Sequence, residues 1–351
     1  MFDNVPRIEA PARDELVSEY ILKARPVIVK NLFAGQPIRD LATLESARAA
    51  LGALKIWVQR GYEYHFTHAI EALLRGAPPD SLIERRPSTI EEYLREMERC
   101  PETREIASEV PEEMTPELRA LYEVPPCCLN DAGERDDYLS ELWLGNQGNH
   151  SHLHFDADQR HVLQYQIFGT KRVILIPPSQ GSKLGPIRNN CVISPLGVPD
   201  ADRDAFVRFA GGYQCMLQAG EALLMPALMW HYFEYVDTSM ALTMRFRRNR
   251  YTRFFGDLMH YDYRVQALAW HFVDERAVGP QLQEAFAEVE DVYRRPSRSP
   301  IEKGEELQQL VERLHERICA PASPGTYSRA FLEPLRRAVR DLEIEGRELY
   351  R

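Results

Sequence analysis

Two histidines and one aspartate form the most informative feature of this sequence. His154 and Asp156 stand two positions apart, and His231 follows Trp230 far downstream. Side chains two apart on a strand point to the same side, so this pair can hold one metal ion if it lies on a strand or at its end. The third ligand must then come from another strand. Two imidazoles and a carboxylate with open positions opposite are the ligand set of non-haem Fe(II) oxygenase sites.

The His-x-Asp pair alone is weak evidence for a metal, because such pairs are common. His152 or His154 could instead be a histidine whose hydrogen bonds are satisfied within a core. The downstream segment that ends in Trp230-His231 favours a metal site over a core histidine. A strand-like apolar run ends at Pro226, and Trp230-His231 then precedes another strand-like run.

Short strand-like runs separated by turn signals surround these residues. Many short strands argue for a sandwich or a barrel. A barrel is a natural way to aim ligands from different strands into one interior. The predicted strands are 142–145, 161–168, 172–176, 222–225, 231–236 and 240–246, with a turn at 169–170 and a hairpin turn at 218–221.

Residues 8–246 resemble the cupin-like JmjC family of Fe(II)- and 2-oxoglutarate-dependent oxygenases, above all its asparaginyl-hydroxylase and tRNA-wybutosine-hydroxylase branch. The resemblance implies a mainly β, α+β fold: a double-stranded β-helix barrel with helical regions on either side. It also implies that His154, Asp156 and His231 bind Fe(II). Four blocks carry it: Arg25-Pro26-Val27-Ile28-Val29, His154-Phe155-Asp156, Gly169-Thr170-Lys171-Arg172 continuing to Pro178, and Gly220-Glu221-Ala222 continuing through Pro226 to Trp230-His231.

The resemblance further implies that Lys171 pairs with the distal carboxylate of 2-oxoglutarate. Ser151 stands three residues before His154, where relatives often place a hydroxyl that contacts the same carboxylate. For Lys171, the sequence itself also supports a buried or paired cation. Lysine is scarce here, and Lys171 opens the most apolar strand of the chain, so it must reach a counter-charge or extend into water. An edge lysine facing solvent is the alternative.

The sequence departs from the asparaginyl-hydroxylase branch at two places. That branch has an asparagine shortly after the aspartate ligand, whereas here the segment leading to Lys171 is two residues longer, as in JmjC demethylases. On the last strand, Arg245 stands where the branch has asparagine. Thr243 and Arg245 alternate with apolar neighbours, so both could face the barrel interior and the cosubstrate. Arg245 could equally bind an acidic substrate group or point outward.

Composition limits the partners of this protein. The chain has 351 residues, 44% of them apolar, which is enough for a large core in one domain or two. A net charge of -10 disfavours nucleic acid without excluding it, since charge can be local. We find neither a membrane-spanning apolar run nor a signal peptide, and the scattered cysteines lack disulfide or metal spacing. We therefore expect a cytoplasmic protein that does not enter membranes.

Three regions follow from the helical and strand patterns. Residues 1–135 are predicted to be mainly helical, with one early strand at 26–30, and to pack on the barrel. Residues 136–250 form the catalytic barrel, and 251–351 return to helix. In relatives the C-terminal helices often form a dimer interface, so a homodimer through them is a hypothesis. Helices are predicted at 42–51, 89–99, 265–273, 279–293 and 301–318.

The resemblance implies oxidation by O2 with 2-oxoglutarate as cosubstrate, releasing succinate and carbon dioxide. Our leading hypothesis is hydroxylation of a C–H bond in a peptide or protein side chain or in an amino-acid-like small molecule. The alternatives are N-demethylation by the same chemistry, tRNA hydroxylation, and a metal-binding cupin that is not an oxygenase. Lys171 beside an intact triad argues against the last. Fold does not choose among the substrates.

Overall fold

The computed structural model describes most of the chain. The described residues are 3–9, 11–60, 84–101, 106–108, 116–135, 137–156, 158–187, 189–191, 195, 199–259, 262–296 and 299–319. Their strands are β1 (Arg7–Glu9), β2 (Val27–Lys30), β3 (Lys55–Arg60), β4 (Glu84–Thr89), β5 (Ile106–Ser108), β6 (Leu139–Gly145), β7 (His161–Phe168), β8 (Lys171–Ile176), β9 (Pro186–Ile187), β10 (Asn190–Cys191), β11 (Tyr213–Leu217), β12 (Glu221–Met225), β13 (Trp230–Tyr235) and β14 (Ser239–Phe246). The helices are α1 (Arg13–Leu16), α2 (Leu44–Leu51), α3 (Ile90–Arg99), α4 (Pro116–Arg119), α5 (Asp200–Phe209), α6 (Arg250–Met259), α7 (Tyr263–Trp270), α8 (Pro280–Arg294) and α9 (Pro300–Ile318).

Two facing sheets form the barrel. The larger has the order β1-β2-β12-β7-β14-β6-β5-β3-β4, and the smaller has the order β11-β8-β13. Apolar side chains from both sheets meet between them, among them Ile28, Val162 and Leu223 from the larger sheet and Val173 and Leu175 from the smaller. This arrangement confirms the predicted double-stranded β-helix core with flanking helices. It also directs inward-facing side chains of several strands toward one interior.

Local sequence signals set the ends of β8. Its β-branched and aliphatic run favours a strand, and Pro177, which has no N–H to donate to a ladder, follows its last residue. Gly169 makes the turn before it with a φ of +73°. A Cβ at Gly169 would lie 2.4 Å from the carbonyl oxygen of Thr238, so only glycine fits there. The turn therefore places Lys171 at the start of a central strand.

The hairpin predicted at 218–221 is wrong, although the turn itself is present. β11, before the turn, pairs with β8 in the smaller sheet, whereas β12, after it, pairs with β2 and β7 in the larger sheet. The turn therefore carries the chain from one sheet to the other. Turn residues set a local bend in the chain, but the partner of each strand depends on contacts that are distant in sequence.

The prediction of a single strand in the N-terminal region is also wrong, whereas its mainly helical character stays a prediction. Among the described residues before 135 there are five strands, β1 to β5, and all of them join the larger sheet. β4 has the sequence Glu-Arg-Arg-Pro-Ser-Thr, which lacks the apolar alternation of a half-buried strand. It is extended because it pairs with β3. β3 also pairs with β5, and β5 pairs with β6 of the barrel. The region therefore extends the sheet of the barrel at both edges; the boundaries at 135 and 250 stay predictions.

The helices follow the predicted patterns more closely. Reciprocal capping hydrogen bonds start α2 at Thr43 and α3 at Thr89, satisfying backbone N–H groups of the first turn. Helices α6 to α9 share an apolar cluster that contains Phe255 and Phe286. Gln266 of α7 donates a hydrogen bond to the Leu228 carbonyl just before β13, which connects this cluster to the barrel. The helices predicted at 42–51, 89–99, 265–273, 279–293 and 301–318 are confirmed.

Within the described ranges, no helix is both long and apolar enough to cross a bilayer. The cytoplasmic location and the homodimer through the C-terminal helices stay predictions. The part of the C-terminal region from 320 to 351 lies outside the described residues.

Candidate metal centre and cosubstrate pocket

Two backbone segments bring the predicted ligands together. The N–H of His154 donates to the carbonyl of His231 at 3.1 Å, and the N–H of His231 donates back to the carbonyl of His154 at 2.7 Å. This pair of hydrogen bonds fixes the segment before β7 against the start of β13. Asp156 follows two residues later on the same side. One ligand atom from each of the three residues lies within 4.8 Å of the others. The structure thus forms a single three-ligand cluster from the His-x-Asp pair and the distant histidine.

The imidazoles are oriented by carbonyls of their own segments. Nδ1 of His154 is 2.7 Å from the carbonyl oxygen of His152, and Nδ1 of His231 is 3.1 Å from that of Met229. A carbonyl only accepts, so each Nδ1 carries the proton and each Nε2 keeps its lone pair for an ion. Burial and the neighbouring His154 lower the pKa of His231 to about 4. His231 is therefore neutral near pH 7, as a metal ligand must be.

The two oxygens of Asp156 face different partners. Oδ1 lies 3.7 Å from Nε2 of His154 and 3.8 Å from Nε2 of His231. Oδ2 lies 3.3 Å from Nη1 of Arg245. Burial by itself raises the pKa of Asp156, but the positive charge of Arg245, with the contacts from the imidazoles, outweighs it and holds the pKa well below its ordinary range. The carboxylate is therefore ionised and points one oxygen at the imidazoles.

The seven site residues predicted from the sequence line one cavity of about 120 Å³. This grouping joins the triad to side chains of β8 and β14 that are distant from it in sequence. The seven residues are Ser151, His154, Asp156, Lys171, His231, Thr243 and Arg245.

Lys171 is the buried cation of this cavity. Only 2% of the residue is exposed, so the solvent-facing alternative is wrong. Its Nζ lies 4.1 Å from the ring centre of Tyr235 and 5.9 Å from that of Phe233. Among the described residues, no carboxylate lies within ion-pair distance of it. Burial alone therefore acts on the ammonium and lowers the pKa of Lys171 to about 7.

Ser151 and Thr243 present hydroxyl groups to the same cavity. The hydroxyl oxygen of Ser151 accepts the N–H of Phe233 at 3.0 Å, while the N–H of Ser151 donates to the carbonyl of Phe233 at 2.8 Å. Its own hydroxyl proton then remains for a group in the cavity. The Thr243 hydroxyl donates to Oε1 of Gln164 at 3.5 Å across the β7–β14 pair.

Gln164 is a pocket residue that the sequence reasoning missed. It lies in the middle of β7, is 6% exposed and lines the cavity. With its Oε1 turned to Thr243, its Nε2 has no hydrogen-bond partner among the described residues. A buried amide without a partner costs about 1–3 kcal/mol, which a ligand oxygen would recover. The available signal was the pair of glutamines, Gln164 and Gln166, in the centre of a strand whose other central residues are apolar or aromatic.

Arg245 points inward and sits among three carboxylates. Nη1 lies 3.3 Å from Asp156 and 3.2 Å from Asp158, and Nε lies 3.5 Å from Glu141. The side chain is 19% exposed, so the outward-pointing alternative is wrong. Its contact with a cosubstrate or with a substrate group stays a prediction.

The fold and the site together define a class of protein. A double-stranded β-helix whose interior holds two imidazoles, a carboxylate and an isolated buried lysine is a cupin-type barrel with a candidate metal centre. The sequence profile of the family described as "Cupin-like domain" matches residues 12–251. The chain belongs to this family, and its relatives confirm the predicted membership of the JmjC Fe(II)- and 2-oxoglutarate-dependent oxygenases.

Three relatives illustrate the similarity. The chain is 24% identical over 246 residues to lysine-specific demethylase 8 of Xenopus tropicalis, covering 68% of this chain and 52% of that protein. It is 24% identical over 252 residues to JmjC domain-containing protein D of Dictyostelium discoideum, covering 66% and 54%. It is 32% identical over 109 residues to human HSPB1-associated protein 1, covering 29% and 22%. The chain thus spans about half the length of the first two relatives.

Proposed function

We propose that this protein is an Fe(II)- and 2-oxoglutarate-dependent hydroxylase. It hydroxylates a C–H bond of its substrate, which is a peptide or protein side chain or an amino-acid-like small molecule. One observation supports this above the others: the cavity that holds the three-ligand cluster also holds Lys171, a buried ammonium without a carboxylate partner among the described residues. A dicarboxylate would provide one carboxylate for a metal at the triad and a second carboxylate as the counter-charge of Lys171.

The triad fits Fe(II) by its donors and their surroundings. Two Nε2 lone pairs and one ionised carboxylate oxygen converge, and the Nδ1 hydrogen bonds hold both rings in the orientation that ligation needs. His154, Asp156 and His231 would hold the ion. When bound, Fe(II) supplies the oxidising chemistry with O2, while 2-oxoglutarate leaves as succinate and carbon dioxide.

The other pocket residues bind and orient the cosubstrate. Lys171 donates a charge-assisted hydrogen bond to the distal carboxylate. Ser151 donates its hydroxyl proton, and Gln164 donates from its unpartnered Nε2. Thr243 acts on the cosubstrate through Gln164, because its hydroxyl donates to Oε1 and leaves Nε2 as the donor without a partner among the described residues.

Aromatic side chains keep the ligand cluster dry. Phe155 lies between two of the ligands in sequence and is fully buried, as is Trp230. Their rings meet edge to face with centres 4.9 Å apart. Excluding water from this side strengthens the electrostatic contacts of the neighbouring imidazoles and carboxylate.

N-demethylation is the second candidate. The similarity to proteins named lysine-specific demethylase 8 supports it, and so does the length of the segment between Asp156 and Lys171. A net charge of -10 makes tRNA a weaker candidate substrate. A cupin that does not bind 2-oxoglutarate gives no reason for a buried Lys171 without a counter-charge among the described residues.

The test is turnover of 2-oxoglutarate by the purified full chain with Fe(II) and ascorbate. We expect succinate from the wild type and none from His154→Ala or Asp156→Ala. A peptide library then reports the reaction, because hydroxylation adds one oxygen atom to the product mass, whereas demethylation releases formaldehyde from a methylated peptide. Iron-loaded protein that neither binds nor consumes 2-oxoglutarate contradicts both candidates.

A further inference from the structure

We propose that Arg245 is a positioning residue that binds one oxygen of the Asp156 carboxylate, so that the other oxygen is left to bind a metal. In this role the guanidinium holds Oδ2 and leaves Oδ1 as the single ligand atom. The proposal rests on the proposed function, because it assumes that the triad binds a metal.

The distances around Asp156 carry this inference. Oδ1 is 3.7 Å and 3.8 Å from the two imidazole Nε2 atoms, whereas Oδ2 is 3.3 Å from Nη1 of Arg245. A carboxylate with both oxygens free can chelate an ion through both or rotate away from it. A cation on one oxygen favours ligation through the other and holds the side chain in place before the ion arrives.

Arg245 is itself held on rigid elements. It lies on β14, where its backbone pairs with Val162 of β7 on one side and Leu139 of β6 on the other. Asp158 contacts the same Nη1 at 3.2 Å, and Glu141 of β6 faces Nε at 3.5 Å. A ligand supported by central strands keeps a more exact geometry than one supported by a loop.

The local charges separate this role from cosubstrate binding. Asp156, Asp158 and Glu141 all face Arg245, and Asp158 also pairs with Arg160 at 3.0 Å. With the three carboxylates ionised, these five side chains carry a net charge of -1. A metal cation held by the triad compensates this negative charge. Arg245 therefore has no surplus positive charge to offer a carboxylate of the cosubstrate, whereas Lys171, whose ammonium has no such partner among the described residues, does.

The experiment measures metal binding directly in the full chain. Co(II) serves as the probe, because its ligand-field absorption and circular dichroism report coordination without turnover. We expect Arg245→Met to weaken Co(II) binding by about 10–100-fold, the range typical for loss of a residue that orients a ligand. We also expect an altered ligand-field spectrum, because Asp156 can then offer both oxygens. Arg245→Lys keeps the charge but loses the planar fork, so we expect a smaller loss.

Arg247→Met is the matched control. Arg247 follows β14 and pairs with Asp131, which is 91% exposed, so its loss should leave Co(II) affinity and spectrum unchanged. Thermal melts establish that each variant is folded; if Arg245→Met does not fold, Arg245→Lys decides through the same two measurements.

The outcomes distinguish this inference from the proposed function. Unchanged Co(II) affinity and spectrum in the Arg245 variants overturn the positioning role, and a concurrent loss of 2-oxoglutarate affinity would assign Arg245 to the cosubstrate. A wild type that binds no Co(II), or an Asp156→Ala variant that binds it as well as the wild type, instead contradicts the metal site itself.

Discussion

The ammonium of Lys171 lies 4.1 Å from the centre of the Tyr235 ring, its direct neighbour across the β8–β13 pair. A ring face compensates for part of the water that the cation has lost. It does not supply a negative charge, and no described carboxylate does so either. Burial therefore lowers the pKa of Lys171 to about 7. The described part of the chain thus contains a buried cation without a carboxylate partner, a place that a ligand carboxylate can take.

Binding of 2-oxoglutarate should weaken as the pH rises above about 7. A bound carboxylate favours the protonated lysine, so the pKa of Lys171 is higher in the complex than in the free protein. Affinity is then constant below about pH 7 and falls above it by up to about tenfold per pH unit, because binding takes up one proton. Calorimetry on Co(II)-loaded protein across this range measures the effect.

Two substitutions at position 171 control that experiment. Lys171→Met should reduce affinity and abolish the pH dependence. Lys171→Arg stays protonated throughout, so its affinity, whatever its absolute value, should not change with pH. A wild type whose affinity is the same at pH 6 and pH 9, about one unit below and two above the pKa, contradicts the assignment.

The stability of the ligand-free protein should rise with pH over the same range. The pKa of Lys171 is about 7 in the folded state, against an ordinary value of 10.5. Between these values the unfolded chain binds more protons than the folded one, so the free energy of unfolding increases with pH. Urea unfolding of the wild type and Lys171→Met isolates this contribution. The difference between the two proteins should shift in favour of the wild type as the pH rises; a constant difference contradicts the prediction.

Gly169→Ala should destabilise the protein more than Gly211→Ala. Both glycines have positive φ, +73° and +59°, which costs alanine about 1–2 kcal/mol. A Cβ at Gly169 also meets the Thr238 carbonyl at 2.4 Å, whereas nothing lies within 4 Å at Gly211. We expect a loss of about 3 kcal/mol or more at Gly169, measured by urea unfolding. Equal losses would show that the turn before Lys171 relaxes without cost.

Trp230→Ala should remove about 3–5 kcal/mol of stability and also weaken metal binding. Trp230 is fully buried against Phe155, and it precedes the ligand His231, so the cavity left behind loosens both ligand segments. Trp57→Ala is the control, because Trp57 is 38% exposed and distant in sequence from the triad; it should cost less than about 1 kcal/mol. Urea unfolding and Co(II) binding measure the two effects. Full Co(II) affinity in Trp230→Ala would show that the ligands do not depend on this packing.

The sequence was sufficient wherever the chemistry or the period of a single segment carried the information. β7, β8, β13 and β14 lie where their apolar runs place them, and α3 begins at Ile90, within one residue of its predicted start. The spacing of His154 and Asp156 put two ligands on one side, and the scarcity of lysine drew attention to Lys171. All seven predicted site residues line one cavity.

The remaining features depended on partners that are distant along the chain. β4 is a strand because β3 pairs with it, and the turn at 218–221 joins two sheets because β11 and β12 pair with different strands. Likewise, the partner of Gln164 and the three carboxylates around Arg245 come from other segments.

Sequence by itself thus determined which groups could do the chemistry and the local geometry of their segments, since covalent geometry and side-chain alternation act over a few residues. Only the tertiary structure decided which groups meet. The closure of the two sheets brings His231 to His154, buries Lys171 without a counter-charge among the described residues, and turns Arg245 toward the oxygen of Asp156 that faces away from the imidazoles.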